Sequence, residues 1–533
     1  MTNKLLLLGD EAIALGALDA GLSGIYAYPG TPSTEITEFV QHSKAAKEKK
    51  VHCSWSANEK TAMEAALGMS YAGKRAMVCM KHVGLNVAAD PFINSAITGA
   101  NGGLVVVSAD DPSMHSSQNE QDSRFYGKFA LVPILEPSSQ QEAYDMVFYG
   151  FEFSEKYQVP VLIRITTRMA HSRSGVQRRD CMEQNELHMP SDLRQFVLLP
   201  AIARKRYKNL LGAHQHFIEE SEKSPFNSYT DGPDKSLGIL VAGIAVNYLM
   251  ENYPNRNIPH PVLKIGQYPM PRKLVEKLIT ECDEVLILED GYPMIEELIR
   301  GYIPGQKKIK GRFDGTIPRT GELNPNILAV ALGKPDTKGL QVPDLMVGRP
   351  PQLCAGCPHI DSYKALNEVL DTLPKGRVFS DIGCYTLGAL KPYEAINSCV
   401  DMGASITMAK GAADAGLVPS VAVIGDSTFT HSGITGLLDA VNDKSPVTVF
   451  ILDNATTAMT GGQDSAGTGR IEDICKAVGV EESHIRVIKP MKKFHDENVQ
   501  VIKEELDYPG VSVIIPRREC IVSIDQRMRQ KFK

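Results

Sequence analysis

No stretch of this sequence offers the ~18 uninterrupted apolar residues that a membrane-spanning helix needs, so no span is expected. The apolar run near the start, Leu5 to Leu8, is four residues long and stops at Gly9, with Asp10 and Glu11 next. That is too short for the core of a secretory leader, and a cytoplasmic location is expected. A surplus of positive charge is missing too. Lys and Arg number 57 against 63 Asp and Glu, a net charge of −6, and basic runs such as Ala203 to Lys208 are short. A nucleic-acid surface is therefore not expected. No short internal repeat or low-complexity tract is present. Ten cysteines in 533 residues suggest no disulfide framework. Most of Cys53, Cys79, Cys181, Cys282, Cys399 and Cys475 read as small buried apolar residues.

What is present is an ordinary globular composition, 43% hydrophobic and 23% charged, in a chain too long for one core. Aliphatic runs alternate with helical patterns, which predicts a multi-domain α/β protein built on parallel, doubly wound sheets. In residues 1–195 the expected strands include Gly24 to Tyr28, Leu104 to Ser108 and Val159 to Ile165, with helices over Glu11 to Gly21 and Asn58 to Ala72. Residues 196–235 are charged and weakly periodic and read as a linker. A smaller α/β unit over 236–315 has strands at Leu237 to Val241 and Glu284 to Leu288. A second linker, 316–350, precedes a last α/β domain over 351–533, with strands at Ser420 to Ile424, Val447 to Leu452 and Val511 to Ile515.

The most informative segment is Val423-Ile-Gly-Asp-Ser427, followed by Val447 to Asn454 and Ala455-Thr456. It reads as strand, turn, helix, strand, turn, and it places Asp426 and Asn454 at the carboxyl ends of two neighbouring parallel strands. Open parallel sheets bind ligands at that edge. A carboxylate, an amide and the Thr456 carbonyl suit a Mg²⁺ that still needs phosphate oxygens. Asp426 and Asn454 have 27 residues between them, a spacing that resembles the thiamine diphosphate motif. Gly425 lets the strand end turn tightly, Ser427 follows in the same turn, and a helix starting near Ser432 can aim amides at phosphate. Gly403-Ala-Ser405 opens another helix able to cradle the same group. The plain alternative is a strand-end Asp capping a helix.

Thiamine diphosphate needs a carboxylate beside its aminopyrimidine ring. Glu59, in Asn58-Glu-Lys-Thr-Ala-Met-Glu64, precedes a small-residue helix face that allows close approach. Glu64, about 140° further around the helix, is the rival. The alternative for Glu59 is an ordinary first-turn acid favoured by the helix dipole. Tyr28-Pro-Gly30-Thr31-Pro-Ser33 is a rigid turn exposing amides and the Thr31 hydroxyl, suited to a substrate carboxylate or simply a surface turn.

Cys354-Ala-Gly-Cys357 is a closely spaced pair on a Pro-flanked loop. Cys384 follows Gly383 at an expected strand end, and Cys520 follows the final strand. Strand ends of one parallel sheet converge, so four thiolates suit a [4Fe–4S] cluster or a structural zinc, with a metal-free pair as the alternative. His359 and His431 lie near these loops, each either a satisfied loop histidine or a base.

Together these residues give the chain a family likeness. It resembles the large (alpha) subunits of indolepyruvate:ferredoxin oxidoreductases, within the thiamine-dependent 2-oxo-acid:ferredoxin oxidoreductases, over nearly its whole length. The resemblance rests on Tyr28 to Glu35, Met80 to Pro91, Ser116 to Arg124, Cys354 to His359, Gly383 to Gly388 and Ile451 to Gly461. It implies that residues 1–195 bind the aminopyrimidine, that 351–533 bind the diphosphate, and that the middle unit is transketolase-C-like. It implies Glu59 as the activating acid, Asp426, Asn454 and the Thr456 carbonyl on Mg²⁺, and a cluster on Cys354, Cys357, Cys384 and Cys520. It implies oxidative decarboxylation of an aryl 2-oxo acid, with coenzyme A as co-substrate and ferredoxin as acceptor. A smaller beta subunit would be the partner, in a dimer of large subunits or a heterotetramer. Alpha subunits of the family usually add a segment with two runs of closely spaced cysteines; the thirteen residues after Cys520 hold none, so one proximal cluster is expected to pass electrons to a partner. A non-oxidative decarboxylase and a silent scaffold subunit are the rival functions.

Overall fold

The computed structural model describes residues 4–190, 195–253, 255–302, 308–336, 343–348, 351–374, 376–399 and 401–524. Contacts divide the chain into two units, Met1–Leu340 and Gln341–Lys533.

The first unit holds a seven-stranded sheet in the order Gln267–Tyr268, Ile134–Leu135, Val161–Thr166, Leu104–Asp110, Ala76–Lys81, Gly24–Ala27, His52–Trp55. Every pairing is parallel except that of Gln267–Tyr268. Its central strands are aliphatic-rich and buried throughout, as strands of a sheet covered on both faces are. A five-stranded sheet follows in the order Lys308–Lys310, Glu284–Leu288, Leu237–Ala242, Val262–Ile265, Ser228–Thr230. The middle region thus lends its Gln267–Tyr268 strand to the edge of the first sheet.

Two fully buried arginines join these sheets. Arg164, inside the Val161–Thr166 strand, reaches Asp110 at 2.7 Å, Glu136 at 2.6 Å and the Asp290 carbonyl at 2.8 Å. Arg124 pairs with Asp122 at 2.5 Å and Glu289 at 3.1 Å. A guanidinium can meet several acids in fixed directions, which is why arginine can occupy such a buried site.

The expected linker over 196–235 contains a 23-residue helix, Pro200–Glu222. Its buried residues, Leu210, Phe217 and Ser221, are seven and four apart and so form one narrow stripe. Phe217 packs on Phe153 and Tyr157. The polar remainder of the helix hid its period in the sequence. The expected second linker carries the helix Pro325–Ala331; part of it lies outside the described residues.

The second unit is a six-stranded parallel sheet in the order Ser398–Cys399, Val378–Ser380, Ser420–Gly425, Val447–Leu452, Ser512–Pro516, Ile485–Ile488. Alternation sorts its core onto two faces: Ala422 and Ile424 join one cluster, Val421 and Val423 the other. The chain turns helical at Asp426 rather than near Ser432, running through Asp426–Thr428 and a π-helical turn, Phe429–Gly433, into Ile434–Asn442. Among the scattered cysteines, Cys79, Cys282 and Cys475 are buried as expected, Cys53 is half-buried, and Cys181 and Cys399 are exposed.

Candidate active site

In the second unit, Gly425 stands opposite Leu452 in the parallel register, so Asp426 and Asn454 leave adjacent strand ends. The Thr457 hydroxyl donates to Ser427 Oγ at 2.9 Å and ties the two loops together. Asp426 is buried, and its Oδ2 has no hydrogen-bond partner among the described residues. Burial, and then the charge of Asp453, push its carboxyl up to about 7. Asn454 is buried; its Oδ1 accepts one bond, from the Thr456 N–H at 3.2 Å, and keeps a second lone pair. An orphaned carboxylate oxygen beside an under-used amide oxygen is what a hard cation would satisfy, so these residues fit Mg²⁺.

Close approach explains two of the glycines. A Cβ on Gly383 would lie 2.2 Å from Tyr385 Cε1, and one on Gly425 would lie 2.6 Å from the same atom. The Tyr385 ring is thus held between the two loops, and its hydroxyl donates to Asp381. Gly403 has φ 96°, a left-handed conformation that favours glycine, and a Cβ there would lie 2.5 Å from that of Ser432. Ser405, expected beside the cofactor, instead donates its hydroxyl to Asp381 Oδ2 at 2.5 Å. Asp381 is one residue that sequence reasoning missed. It lies three residues before Cys384, and only the fold reveals that it anchors the helix Ala404–Asp414. Burial pushes its carboxyl up to about 7.

His359 is buried at the start of the helix Pro358–Leu370. Its Nε2 lies 3.4 Å from Cys384 Sγ and 3.4 Å from Asn454 Nδ2. Burial lowers it to about 4, so it is neutral near pH 7. The other candidate histidine, His431, is buried within the π-helical turn. Of the four candidate cysteines, Cys384 lies against His359 and Cys357 immediately precedes the helix that holds it. The Cys520 N–H donates to the Asn454 carbonyl at 3.2 Å, and that of Cys357 to the Cys354 carbonyl at 3.0 Å. Burial first, then the other thiols, pushes Cys384 to about 12 and Cys357 to about 11. Thiols sharing a single zinc lie about 3.8 Å apart, from the Zn–S length and tetrahedral angle. Among the described residues no three of these thiols come within 4.8 Å of one another; Asp10, Glu35 and His171 are the only such trio.

In the first unit, Glu59 opens the helix Glu59–Tyr71, capped by Asn58, whose Oδ1 accepts from the Thr61 N–H at 2.8 Å. Glu59 is 5% exposed. A Cβ on Gly84 would lie 2.5 Å from Glu59 Oε1, so the glycine makes room for the carboxylate. Glu64 is exposed and paired with Lys60. The Gly30–Ser33 turn is closed by Ser33 Oγ donating to the Gly30 carbonyl at 2.8 Å. Beside it lies Lys81, which sequence reasoning passed over. A Cβ on Gly30 would meet the Lys81 Cβ at 3.3 Å, and Lys81 Nζ donates to the Ser116 carbonyl at 2.7 Å. Burial lowers its ammonium to about 8.

Parallel sheets with such a strand-end pair define a thiamine-diphosphate-binding class, and comparison with known proteins agrees. Residues 15–197 match the family described as "Pyruvate flavodoxin/ferredoxin oxidoreductase, thiamine diP-bdg". Residues 381–515 match "Thiamine pyrophosphate enzyme, C-terminal TPP binding domain". Indolepyruvate oxidoreductase subunit IorA of Archaeoglobus fulgidus is 40% identical over 99% of this chain and 88% of its own. The subunit of the same name from Pyrococcus horikoshii is 38% identical over the same shares. A solved 2-oxoglutarate:ferredoxin oxidoreductase from Magnetococcus marinus, with 2-oxoglutarate, coenzyme A and succinyl-CoA bound, shares the fold at TM-score 0.51. Identity there is 16%, covering 62% of this chain and 65% of that one. The chain belongs to the IorA family of indolepyruvate oxidoreductase subunits, within the thiamine-diphosphate-dependent 2-oxoacid:ferredoxin oxidoreductases.

Proposed function

We propose that this chain is the large subunit of an enzyme that oxidises an aryl 2-oxo acid, indolepyruvate or a close relative. Its products would be the acyl-CoA and CO₂. For each substrate, the bond to the carboxylate carbon breaks, a bond to the coenzyme A sulfur forms, and one proton and two electrons leave, one electron to each of two ferredoxins. What supports the reading most is the 40% identity with an indolepyruvate oxidoreductase subunit over 99% of the chain.

When bound, thiamine diphosphate supplies a nucleophilic carbon for the 2-oxo group and an electron sink for decarboxylation. Asp426, Asn454 and the Thr456 carbonyl would hold its Mg²⁺, with Gly383, Gly403, Gly425 and Ser427 shaping the diphosphate loops and Ser405 bracing them through Asp381. Glu59 would hold the proton exchanged with the aminopyrimidine. Gly30 and Thr31 would orient the substrate carboxylate, and the Lys81 ammonium beside them adds a positive charge. Cys354, Cys357, Cys384 and Cys520 would carry a [4Fe–4S] cluster. His359, neutral and wedged between Cys384 and Asn454, is a positioning residue for both. A smaller subunit would complete the assembly, as a heterotetramer or with a dimer of large subunits.

The test is anaerobic purification with the smaller subunit, then iron, sulfide and zinc analysis and a 2-oxo-acid panel with coenzyme A and ferredoxin. About four irons per chain with matching sulfide, and the highest kcat/KM on an arylpyruvate, are expected. Aldehyde release without coenzyme A or ferredoxin would make the protein a simple decarboxylase.

A further inference from the structure

A second cluster lies in the first unit, in residues that the proposed chemistry does not use. Asp10 is the second residue of the helix Gly9–Asp19 and is 0% exposed. Neither of its carboxylate oxygens has a hydrogen-bond partner among the described residues. Glu35, in the first turn of the helix Thr34–His42, likewise has an Oε2 without a partner. Its Oε1 lies 3.5 Å from Nε2 of His171, the last residue of the helix Thr167–His171. One oxygen of each acid and one ring nitrogen lie within 4.8 Å of one another.

Helix capping does not explain Asp10. A capping carboxylate accepts a backbone N–H, and at this helix start Glu11 does so, accepting from the Leu8 N–H at 2.8 Å. Asp10 accepts no hydrogen bond among the described residues. A buried acid without a donor is costly, and one facing a second acid costs more. Burial, followed by the charges of Glu35 and Glu11, holds the Asp10 carboxyl well above the usual carboxylate range. A cation would remove both penalties at once. Glu35 and His171 are each more than a third exposed, which leaves a route for an ion and for the waters that complete its shell.

We propose that Asp10, Glu35 and His171 bind a divalent transition-metal ion. Two carboxylates favour Mn²⁺, and the imidazole extends the choice to Fe²⁺ and Zn²⁺, while a purely hard ion such as Ca²⁺ gains nothing from the ring nitrogen. Glu35 follows the Tyr28–Ser33 turn by two residues, so the ion would pin the base of that turn to the start of the Gly9–Asp19 helix and the end of the Thr167–His171 helix. The inference rests on this geometry and not on the proposed substrate.

Mn²⁺ is the probe, because it leaves thiols largely alone. The full chain, with its smaller subunit if they copurify, is freed of loose metal by chelation and titrated with Mn²⁺ without thiamine diphosphate. Bound Mn²⁺ should show nitrogen modulation from a coordinated imidazole in pulsed EPR. Asp10→Asn, close to isosteric, and His171→Gln, at an exposed position, should each weaken this binding by at least about 10–100-fold, the range for changes even one step outside a metal's ligands. Asp426→Asn should leave the nitrogen-coupled Mn²⁺ in place. The proposal fails if no nitrogen coupling appears. It also fails if Asp10→Asn and His171→Gln bind like the parent chain, in which case Asp10 and Glu35 share a proton instead. Loss of the signal in Asp426→Asn but not in the other two would place the ion at the other site and overturn the proposal as well.

Discussion

Glu59 and Glu64 sit five residues apart on one helix, and their surroundings separate them. Glu64 spends its charge on Lys60 in solvent, where an ion pair is worth little. Glu59 is buried against Gly84, whose missing side chain is the space its carboxylate fills. If Glu59 exchanges a proton with the bound cofactor, Glu59→Gln should lower kcat by about 10²–10⁴-fold, the usual weight of a positioned acid or base. Thiamine diphosphate affinity should hardly change. Glu64→Gln should leave both alone. Single-turnover 2-oxo-acid decarboxylation and calorimetric cofactor titration measure the two quantities; equal losses in both variants would remove Glu59 from the proton's path. Position on the helix was legible from sequence, because Asn58 and the small residues after Glu59 announce a capped helix. The burial that discriminates the two acids was not, since it depends on Gly84, 25 residues further along.

Elements show the same divide. The strands Glu284–Leu288 and Val447–Leu452 were legible to the residue because short aliphatic runs bounded by polar residues have few other uses. The helix Pro200–Glu222 was not, because only a narrow stripe of it is buried and the rings it packs on come from Phe153 and Tyr157. The Arg124–Arg164 network was equally hidden. The strand around Arg164 was expected, but its partners were not, because its acids lie 28 to 54 residues away. Two guanidiniums face four buried acids, Asp110, Asp122, Glu136 and Glu289, so removing one cation leaves carboxylates without a counter-charge. Arg164→Leu should therefore destabilise the Met1–Leu340 unit by about 3–5 kcal/mol, the cost of breaking a buried pair from one side. Urea unfolding followed by hydrogen exchange in the Leu104–Asp110 and Glu284–Leu288 strands would register it; an unchanged midpoint would mean the network is dispensable.

For the whole molecule, alternating strand and helix patterns sufficed to read the fold class, and one spaced pair, Asp426 and Asn454, sufficed to suggest the cofactor. The sequence could not reveal that Asp426 in one unit and Asp10 in the other each bury a carboxylate oxygen without a partner among the described residues, because lacking a partner is a property of packing. Each acid makes the ligand-free chain less stable than it would be when filled, and the two should respond to different ligands. Thiamine diphosphate with Mg²⁺ at about 100 times the Kd should add about 2.7 kcal/mol to apparent stability by mass action. Asp426→Asn removes the charge that draws the cation, so the ligand-free protein should be no less stable while the ligand-induced rise in Tm largely disappears. Asp10→Asn should keep that rise in full. Thermal unfolding of the three chains with and without the two ligands separates the sites. A full ligand-induced rise in Asp426→Asn would mean that the diphosphate's metal is held elsewhere, and Asp426 would then be only a buried acid at a helix start.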